Sequence, residues 1–264
     1  MGILYSEEEI VYHFFTETEF FTGTEAVITG PDVNHIKNVL RMKPGEKILL
    51  SDGKGTNCLC EITELFPDKV LAKILPEEVD DTELPVQVTL YQGLPKADKM
   101  EFIIQKCVEL GVTKIVPVDT DRAVVKLDAK KEEAKRKRWY GISESAAKQS
   151  KRMIVPEIGN VMKFKAAIEA AKTDDLAIIP YEDSESLPGA GGMALTRELI
   201  GSLKPGQKLS IFIGPEGGSG DCDELRRETG DTRKADPENR DGRNVRDGGG
   251  RIIAGIMKKR GIRE

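Results

Sequence analysis

The chain has 264 residues, of which 39% are hydrophobic and 32% charged, and its formal net charge is −5. This composition fits one large or two smaller globular domains and argues against a protein that is basic over its whole surface. Because no apolar run reaches about 18 residues and the first ten residues lack a signal-peptide pattern, we expect a cytoplasmic protein that does not enter a membrane.

The N-terminal part alternates short apolar strands with turns, which is typical of a small β-barrel. Strands are predicted at residues 27–29, 47–51, 58–65 and 69–75. One helix is predicted over residues 33–42, with Asp32 as its N-terminal cap. Its apolar face would carry Val33, Ile36, Val39 and Leu40. The pattern predicts a β-barrel domain over residues 11–76.

An acidic stretch at residues 77–83 reads as a linker, after which strands alternate with amphipathic helices. Strands are predicted at 86–92, 114–118, 176–180 and 209–213. Helices are predicted at 96–110, 130–151, 166–171 and 193–203. Such alternation predicts an α/β domain with a parallel sheet and helices on both faces, from about residue 84.

The four cysteines do not form the pattern of a metal site. Neither of the two histidines, His13 and His35, lies near a cysteine pair in the sequence. We therefore expect no metal, and free thiols that are buried or half-buried. These are Cys58, Cys60, Cys107 and Cys222.

Basic clusters stand out in this acidic chain. The longest, in residues 130–152, surrounds Trp139 and Tyr140, which suits phosphate contact and base stacking but equally a solvated helix face. Lys96 and Lys99 lie near a predicted helix N-terminus, where the helix dipole disfavours cations. They indicate either an anionic partner or solvated side chains. The barrel adds His35, Lys37, Arg41 and Lys43, and together the clusters favour nucleic acid over a small anion.

The strand at 209–213 runs into the glycine-rich turn Gly214-Pro215-Glu216-Gly217-Gly218. The turn is neither a P-loop nor a dinucleotide-binding fingerprint. Glycines after a parallel strand let a ligand approach the backbone at the carboxyl edge of the sheet. Glu216 is either a ligand acceptor or a turn residue. No Ser-His-Asp pattern is present, so the sequence assigns no catalytic base.

Four separated stretches resemble the RsmE family of bacterial 16S rRNA methyltransferases, which act on N3 of uridine. They read HIKNVLRMKPG from His35, QGLPK from Gln92 with KME from Lys99, AAKQSKR from Ala146 and IGPEGG from Ile213. Their order along the chain matches the family, and the resemblance covers roughly residues 11–218.

The resemblance implies a PUA-like barrel that binds RNA, followed over residues 84–218 by a SPOUT-type α/β domain with a trefoil knot. It further implies S-adenosylmethionine as methyl donor, 16S rRNA of the small ribosomal subunit as partner, and a homodimer. Cofactor contacts are then expected from Gly214, Pro215, Glu216, Gly217 and Gly218, and from Tyr181 and Glu182. RNA contacts are expected from His35, Arg41, Lys96, Lys99, Arg122, Lys148, Gln149 and Arg152.

Residues 219–264 depart from the family, which continues with a loop reading approximately LGxRILRTETA. No such string occurs here. Yet allowed codons for Thr232 to Asn244, read one nucleotide later, encode LGKRILRTETAG. We therefore expect that this tail is encoded out of frame and, being rich in glycine and charge, does not fold. It would replace the knot and the cofactor loop.

The loss of that loop leaves a second hypothesis open, an RNA-binding protein without catalytic activity. At the other end, Val11-Tyr12-His13-Phe14-Phe15 resembles the usual family start, and a GTG valine codon can initiate translation. We expect residues 1–10 to be a non-native extension.

Overall fold

A computed structural model describes residues 11–95, 99–120, 129–181, 192–214, 245–247 and 250–253, with side chains except at 179–181, 192–196 and beyond 214. The chain divides into two compact units. The first unit contains the chain up to Glu83 together with Ser143–Val155. The second contains Leu84–Ile142 and the chain from Pro156 onward. No helix in the described ranges is both long and apolar enough to span a bilayer.

The first unit is built on a curled six-stranded sheet in the order β1-β4-β5-β6-β3-β2. Its strands are β1 (Tyr12–Phe15), β2 (Phe21–Thr22), β3 (Glu25–Thr29), β4 (Lys47–Ser51), β5 (Asn57–Leu65) and β6 (Lys69–Ile74). Neighbours are antiparallel except β1 and β4, which run parallel. The expected strands are therefore present. Alternate strand residues such as Ile28, Ile48 and Ile62 are fully buried in one core.

The predicted helix after β3 is shorter and less regular than expected. Helix α1 spans Pro31–Asn34 and passes into a π-helical turn at His35–Val39. Gly30 is the N-cap, and Asp32 makes no capping hydrogen bond. Val39 is 63% exposed, so its assignment to the apolar face is wrong. Arg41, with φ of 56°, ends the helical segment in the left-handed region.

The second unit contains a sheet in the order β10-β8-β7-β12-β11-β14-β13, with β9 also paired to β8. Its strands are β7 (Gln87–Gly93), β8 (Lys114–Asp119), β9 (Glu157–Ile158), β10 (Met162–Lys163), β11 (Leu176–Tyr181), β12 (Lys208–Ile213), β13 (Val245–Asp247) and β14 (Gly250–Ile253). The pairs from β10 through β11 are parallel, which confirms the predicted parallel sheet.

The helices are α2 (Lys99–Glu109), α3 (Ala129–Gln149), α4 (Phe164–Ala171) and α5 (Gly192–Gly201). In the core of this unit, the Phe212 ring stacks on Tyr91 with ring centroids 4.5 Å apart and meets the Phe164 ring edge-on. Phe212 and Tyr91 lie on adjacent strands, so this packing fixes β12 beside β7 just before the glycine-rich turn.

Seven residues of the tail are described. Strands β13 and β14 pair antiparallel, and β14 pairs antiparallel with β11 through Ile253 and Ile179. That the tail as a whole does not fold stays a prediction. Residues 215–244, which include the segment expected to form the knot, lie outside the described residues.

Candidate functional sites

The first unit contains a cleft of about 460 Å³ at the open edge of β1. We call it the β1 cleft. One wall is β1 with its preceding residue, a second is the start of α1, and the third is the end of α3 with the turn that follows. Its lining residues are Val11, Tyr12, His13, Phe14, Asp32, His35, Ser145, Lys148, Gln149 and Lys151.

Lys148 is tied to acidic neighbours in this cleft. Its Nζ donates to both carboxylate oxygens of Asp32, at 3.0 and 3.2 Å, and lies 3.1 Å from a carboxylate oxygen of Glu144. Burial on its own would lower the pKa of Lys148, but hydrogen bonds and opposite charges from Asp32 and Glu144 outweigh it and raise the pKa. Asp32 therefore positions the Lys148 ammonium in the cleft. The sequence had predicted a different role for Asp32, that of a helix cap.

His13 forms the polar floor beside this pair. Its Nε2 lies 2.7 Å from Ser51 Oγ, and Ser51 Oγ donates to Asn57 Oδ1 at 2.8 Å. Burial lowers the pKa of His13 to about 4, and the positive charges of Lys148 and Lys151 act in the same direction. His13 is therefore neutral at physiological pH.

The predicted RNA residues of the first unit separate into two groups. His35, Lys148 and Gln149 line the β1 cleft, and His35 and Gln149 are exposed. Arg41 is exposed but does not line it.

Arg152 does not match its predicted role. The residue is only 3% exposed, and its guanidinium forms an ion pair with Glu83, with Nε 3.1 Å from Glu83 Oε2. The same carboxylate accepts hydrogen bonds from the backbone N–H groups of Met153 and Ile154. This burial argues against RNA contact and indicates that Arg152 fixes the turn after α3.

In the second unit, three adjacent parallel strands end at one edge of the sheet. Gly93 and Tyr181 end β7 and β11, and Gly214 directly follows Ile213, the last residue of β12, so two predicted cofactor positions lie along this carboxyl edge. Gly214 is exposed. Thr120, just after the neighbouring β8, is buried, and its Oγ1 finds no hydrogen-bond partner among the described residues. An open backbone and an unsatisfied hydroxyl at one edge suit a polar ligand, which fits S-adenosylmethionine.

Several predicted site residues cannot be placed in this way. Lys99 begins α2 and is exposed. The described residues do not include Lys96, Arg122, Glu182, Pro215, Glu216, Gly217 or Gly218, and they give only the backbone of Tyr181.

The basic stretch of α3 is less available than its sequence indicates. Trp139 is 3% exposed, which argues against base stacking by this residue, one of the two alternatives that the sequence left open. Arg138 is held by Glu101, with Nε 2.8 Å from a carboxylate oxygen. Tyr140 remains 48% exposed.

Sequence reasoning missed Lys151, Glu83 and Thr120. Lys151 has a φ of 55°, which no sequence motif predicts, and its side chain is exposed in the β1 cleft. Glu83 belongs to the acidic stretch interpreted as a linker, and its partner Arg152 lies 69 positions away. The cysteines agree with expectation, since Cys58, Cys60 and Cys107 are free and buried or half-buried, while Cys222 lies outside the described residues.

Comparison with known proteins places both units. Residues 82–226 match the family model of an RNA methyltransferase domain, and residues 28–75 match that of an RNA methyltransferase PUA domain. The ribosomal RNA small subunit methyltransferase E of Bacillus subtilis (strain 168) is 39% identical over 191 residues, which are 72% of this chain and 73% of the relative.

A protein of the same name from Mycobacterium bovis is 27% identical over 212 residues, covering 78% of this chain and 76% of the relative. Among solved structures, that of a ribosomal RNA small subunit methyltransferase E from Neisseria gonorrhoeae bound to S-adenosyl methionine superposes with a TM-score of 0.64. It is 31% identical, and the match covers 84% of this chain and 87% of the other.

Proposed function

This chain belongs to the ribosomal RNA small subunit methyltransferase E (RsmE) family, and we propose that it methylates N3 of a uridine in 16S rRNA with S-adenosylmethionine as donor. The observation that carries the proposal is 39% identity with a named relative along 73% of its length. It favours methyl transfer over RNA binding without catalysis. The proposed organisation is a PUA-like domain over residues 11–76 and a SPOUT domain over residues 84–218.

The carboxyl edge of the second unit would hold the cofactor. We assign Gly214 and the following residues 215–218 to one side of the cofactor, and Tyr181 with Glu182 to the neighbouring strand end. Phe212 and Tyr91 support this placement, because their stacked rings hold β12 and β7 together directly below the turn. The cofactor supplies an electrophilic methyl group on a sulfonium.

The chemistry of the target defines what the protein must do. Uridine N3 carries an imide proton and is a weak nucleophile until that proton leaves. The base must be unstacked and N3 aligned with the methyl group, and negative charge that develops on the base must be stabilised. Positioning and electrostatics supply most of the rate enhancement in this account, and no described residue is assigned as the general base.

RNA binding is assigned to both units. His35, Arg41, Lys148 and Gln149 of the first unit and Lys99 of the second are exposed or half-buried polar residues that suit phosphate and base contacts. Lys96 and Arg122 complete the proposed set. Lys148 can engage phosphate only by sharing its ammonium with Asp32 and Glu144.

A homodimer in the cytoplasm is the proposed state. Phe102 on α2 and Leu110 just after it are 64% and 76% exposed. Exposed apolar side chains that form a contiguous patch are typical of contact surfaces. We assign that surface to a second copy of the chain.

The tail sets the level of activity. The family model ends at residue 226 of 264, which supports the proposal that the remaining residues are encoded out of frame. Transfer of labelled methyl to under-methylated small ribosomal subunits tests the function, with a restored chain in which the codons from Thr232 onward are read in the next frame. The product 3-methyluridine would support it, and label in another nucleoside or none at all would contradict it.

A further inference from the structure

The β1 cleft has an open backbone edge. Strand β1 stands at the end of its sheet and pairs only with β4 among the described strands. An edge strand presents N–H and C=O groups on its unpaired side. Residues of β1 line the cleft together with Gln149 and Ser145, which supply an amide and a hydroxyl. Such groups recognise the edges of an unpaired base.

Aromatic rings flank the same cleft. Tyr12 is 39% exposed, and His35 is exposed with its ring edge-on to the buried Phe14, the centroids 6.0 Å apart. Phe14 is buried, whereas His35 is exposed and lines the cleft. An exposed aromatic ring that packs on a buried one is suited to stacking on a base.

Charge in the cleft is arranged for one phosphate and not for a duplex backbone. Lys148 is offset by Asp32 and Glu144, whereas Lys151 is exposed on the left-handed turn after α3. Thr82 Oγ1 donates to the Lys151 carbonyl at 3.1 Å and helps to hold this turn. A duplex would need a broad array of cations, which the first unit does not concentrate here.

From these features we infer that the β1 cleft binds one unstacked nucleotide of single-stranded RNA. The base contacts both the Tyr12 and the His35 ring, its polar edge meets Gln149 and the β1 edge, and its phosphate meets Lys151. The volume of about 460 Å³ lies within the range of small-molecule sites. The inference rests on the proposed RNA substrate but adds a base-binding site in the first unit.

The test measures binding of the full-length chain to a fluorescein-labelled, uridine-rich single-stranded oligoribonucleotide by fluorescence anisotropy. Tyr12→Ala and His35→Ala should each raise Kd at least about fivefold, as expected for loss of one base–aromatic stack. Tyr12→Phe keeps the ring and should stay within about twofold of the wild type. Lys151→Ala should reduce the slope of log Kd against log salt by about one, whereas Tyr12→Ala should leave it unchanged.

Thermal unfolding checks that each variant folds. Because Tyr12 is exposed, we expect Tyr12→Ala to fold. Wild-type Kd values for folded Tyr12→Ala and His35→Ala would overturn the inference, as would equal affinity for a labelled RNA duplex. A methylation assay on small ribosomal subunits with the restored chain, whose codons from Thr232 onward are read in the next frame, separates the two claims. Methylation together with wild-type Kd values for the Tyr12→Ala and His35→Ala variants would contradict only the base-binding cleft. Raised Kd values for these variants without methylation would contradict only the proposed activity.

Discussion

Arg152 and Glu83 form a buried ion pair that holds the turn after α3, with Nε of Arg152 3.1 Å from Glu83 Oε2 and exposures of 3% and 10% for the two side chains. The Glu83 carboxylate also receives the N–H groups of Met153 at 2.9 Å and Ile154 at 3.1 Å. One side chain thus satisfies a cation and two backbone donors. The turn it fixes carries Lys151 into the β1 cleft.

Glu83→Gln should destabilise the first unit strongly. The amide keeps the shape but removes the counter-charge of a buried guanidinium, and breaking a buried pair in this way costs about 3–5 kcal/mol. Chemical denaturation measures the loss. The matched control is Lys47→Gln, which breaks the more exposed pair of Lys47 with Glu77 and should change the free energy of unfolding by less than about 1 kcal/mol. Equal effects of the two substitutions would contradict the role of Glu83.

His13 should make stability depend on pH. Its pKa is about 4 in the folded chain, against an ordinary value of 6.5, because burial disfavours the imidazolium. Between these values the unfolded chain binds more protons, so the free energy of unfolding falls as the pH is lowered from 6.5 towards 4. We expect a loss of about 2 kcal/mol from this group between pH 7 and pH 5.

His13→Gln should remove that part of the pH dependence in denaturation curves recorded at pH 7 and pH 5. His35→Gln, at an exposed histidine, is the control and should retain it. The free energy of unfolding of His13→Gln could instead fall between pH 7 and pH 5 by as much as that of the wild type. The burial of His13 would then not cause the pH dependence.

Replacing Phe102 or Leu110 by Glu should shift the chain towards a monomer, because a charge would be placed on the proposed contact between two copies. Sedimentation velocity at micromolar concentration reports the mass. Val39→Glu is the control, since Val39 is 63% exposed on the first unit and is not part of the proposed contact. A wild-type chain that sediments as a monomer would refute the proposed homodimer.

The chain as written should bind S-adenosylmethionine weakly or not at all, because the string expected to close over the adenosine is absent. A restored chain, with the codons from Thr232 onward read in the next frame, should bind it at least tenfold more tightly. Isothermal titration calorimetry compares the two. Ordinary tight binding by the original chain would refute the role given to the missing loop, and sequencing the gene tests the shifted frame itself.

The fold was largely predictable from the sequence, because apolar periodicity and turn residues agree locally with the strands and helices formed. The strands β4 and β8 and the helix α2 are where their patterns place them, within a few residues. The base-stacking alternative for Trp139 fails because its ring is buried, although Nζ of Lys135 lies 5.8 Å from the ring centroid. Exposure differs between adjacent helix positions, as Trp139 at 3% and Tyr140 at 48% show.

The site was less predictable, because its parts are far apart in sequence. Asp32 looks like a helix cap but bonds to Lys148, 116 positions later, and Glu83 reads as a linker residue until Arg152 is folded against it. The left-handed φ of Lys151, at 55°, occurs at a residue type with no preference for it. Long-range ion pairs and backbone conformations of this kind leave no local pattern.

The most direct test is nucleoside analysis by liquid chromatography and mass spectrometry of 16S rRNA from under-methylated small ribosomal subunits, incubated with S-adenosylmethionine and either the original or the restored chain. We expect one 3-methyluridine per 16S rRNA with the restored chain and at least tenfold slower formation with the original. Absence of 3-methyluridine with both chains, or methylation of a different nucleoside, would contradict it.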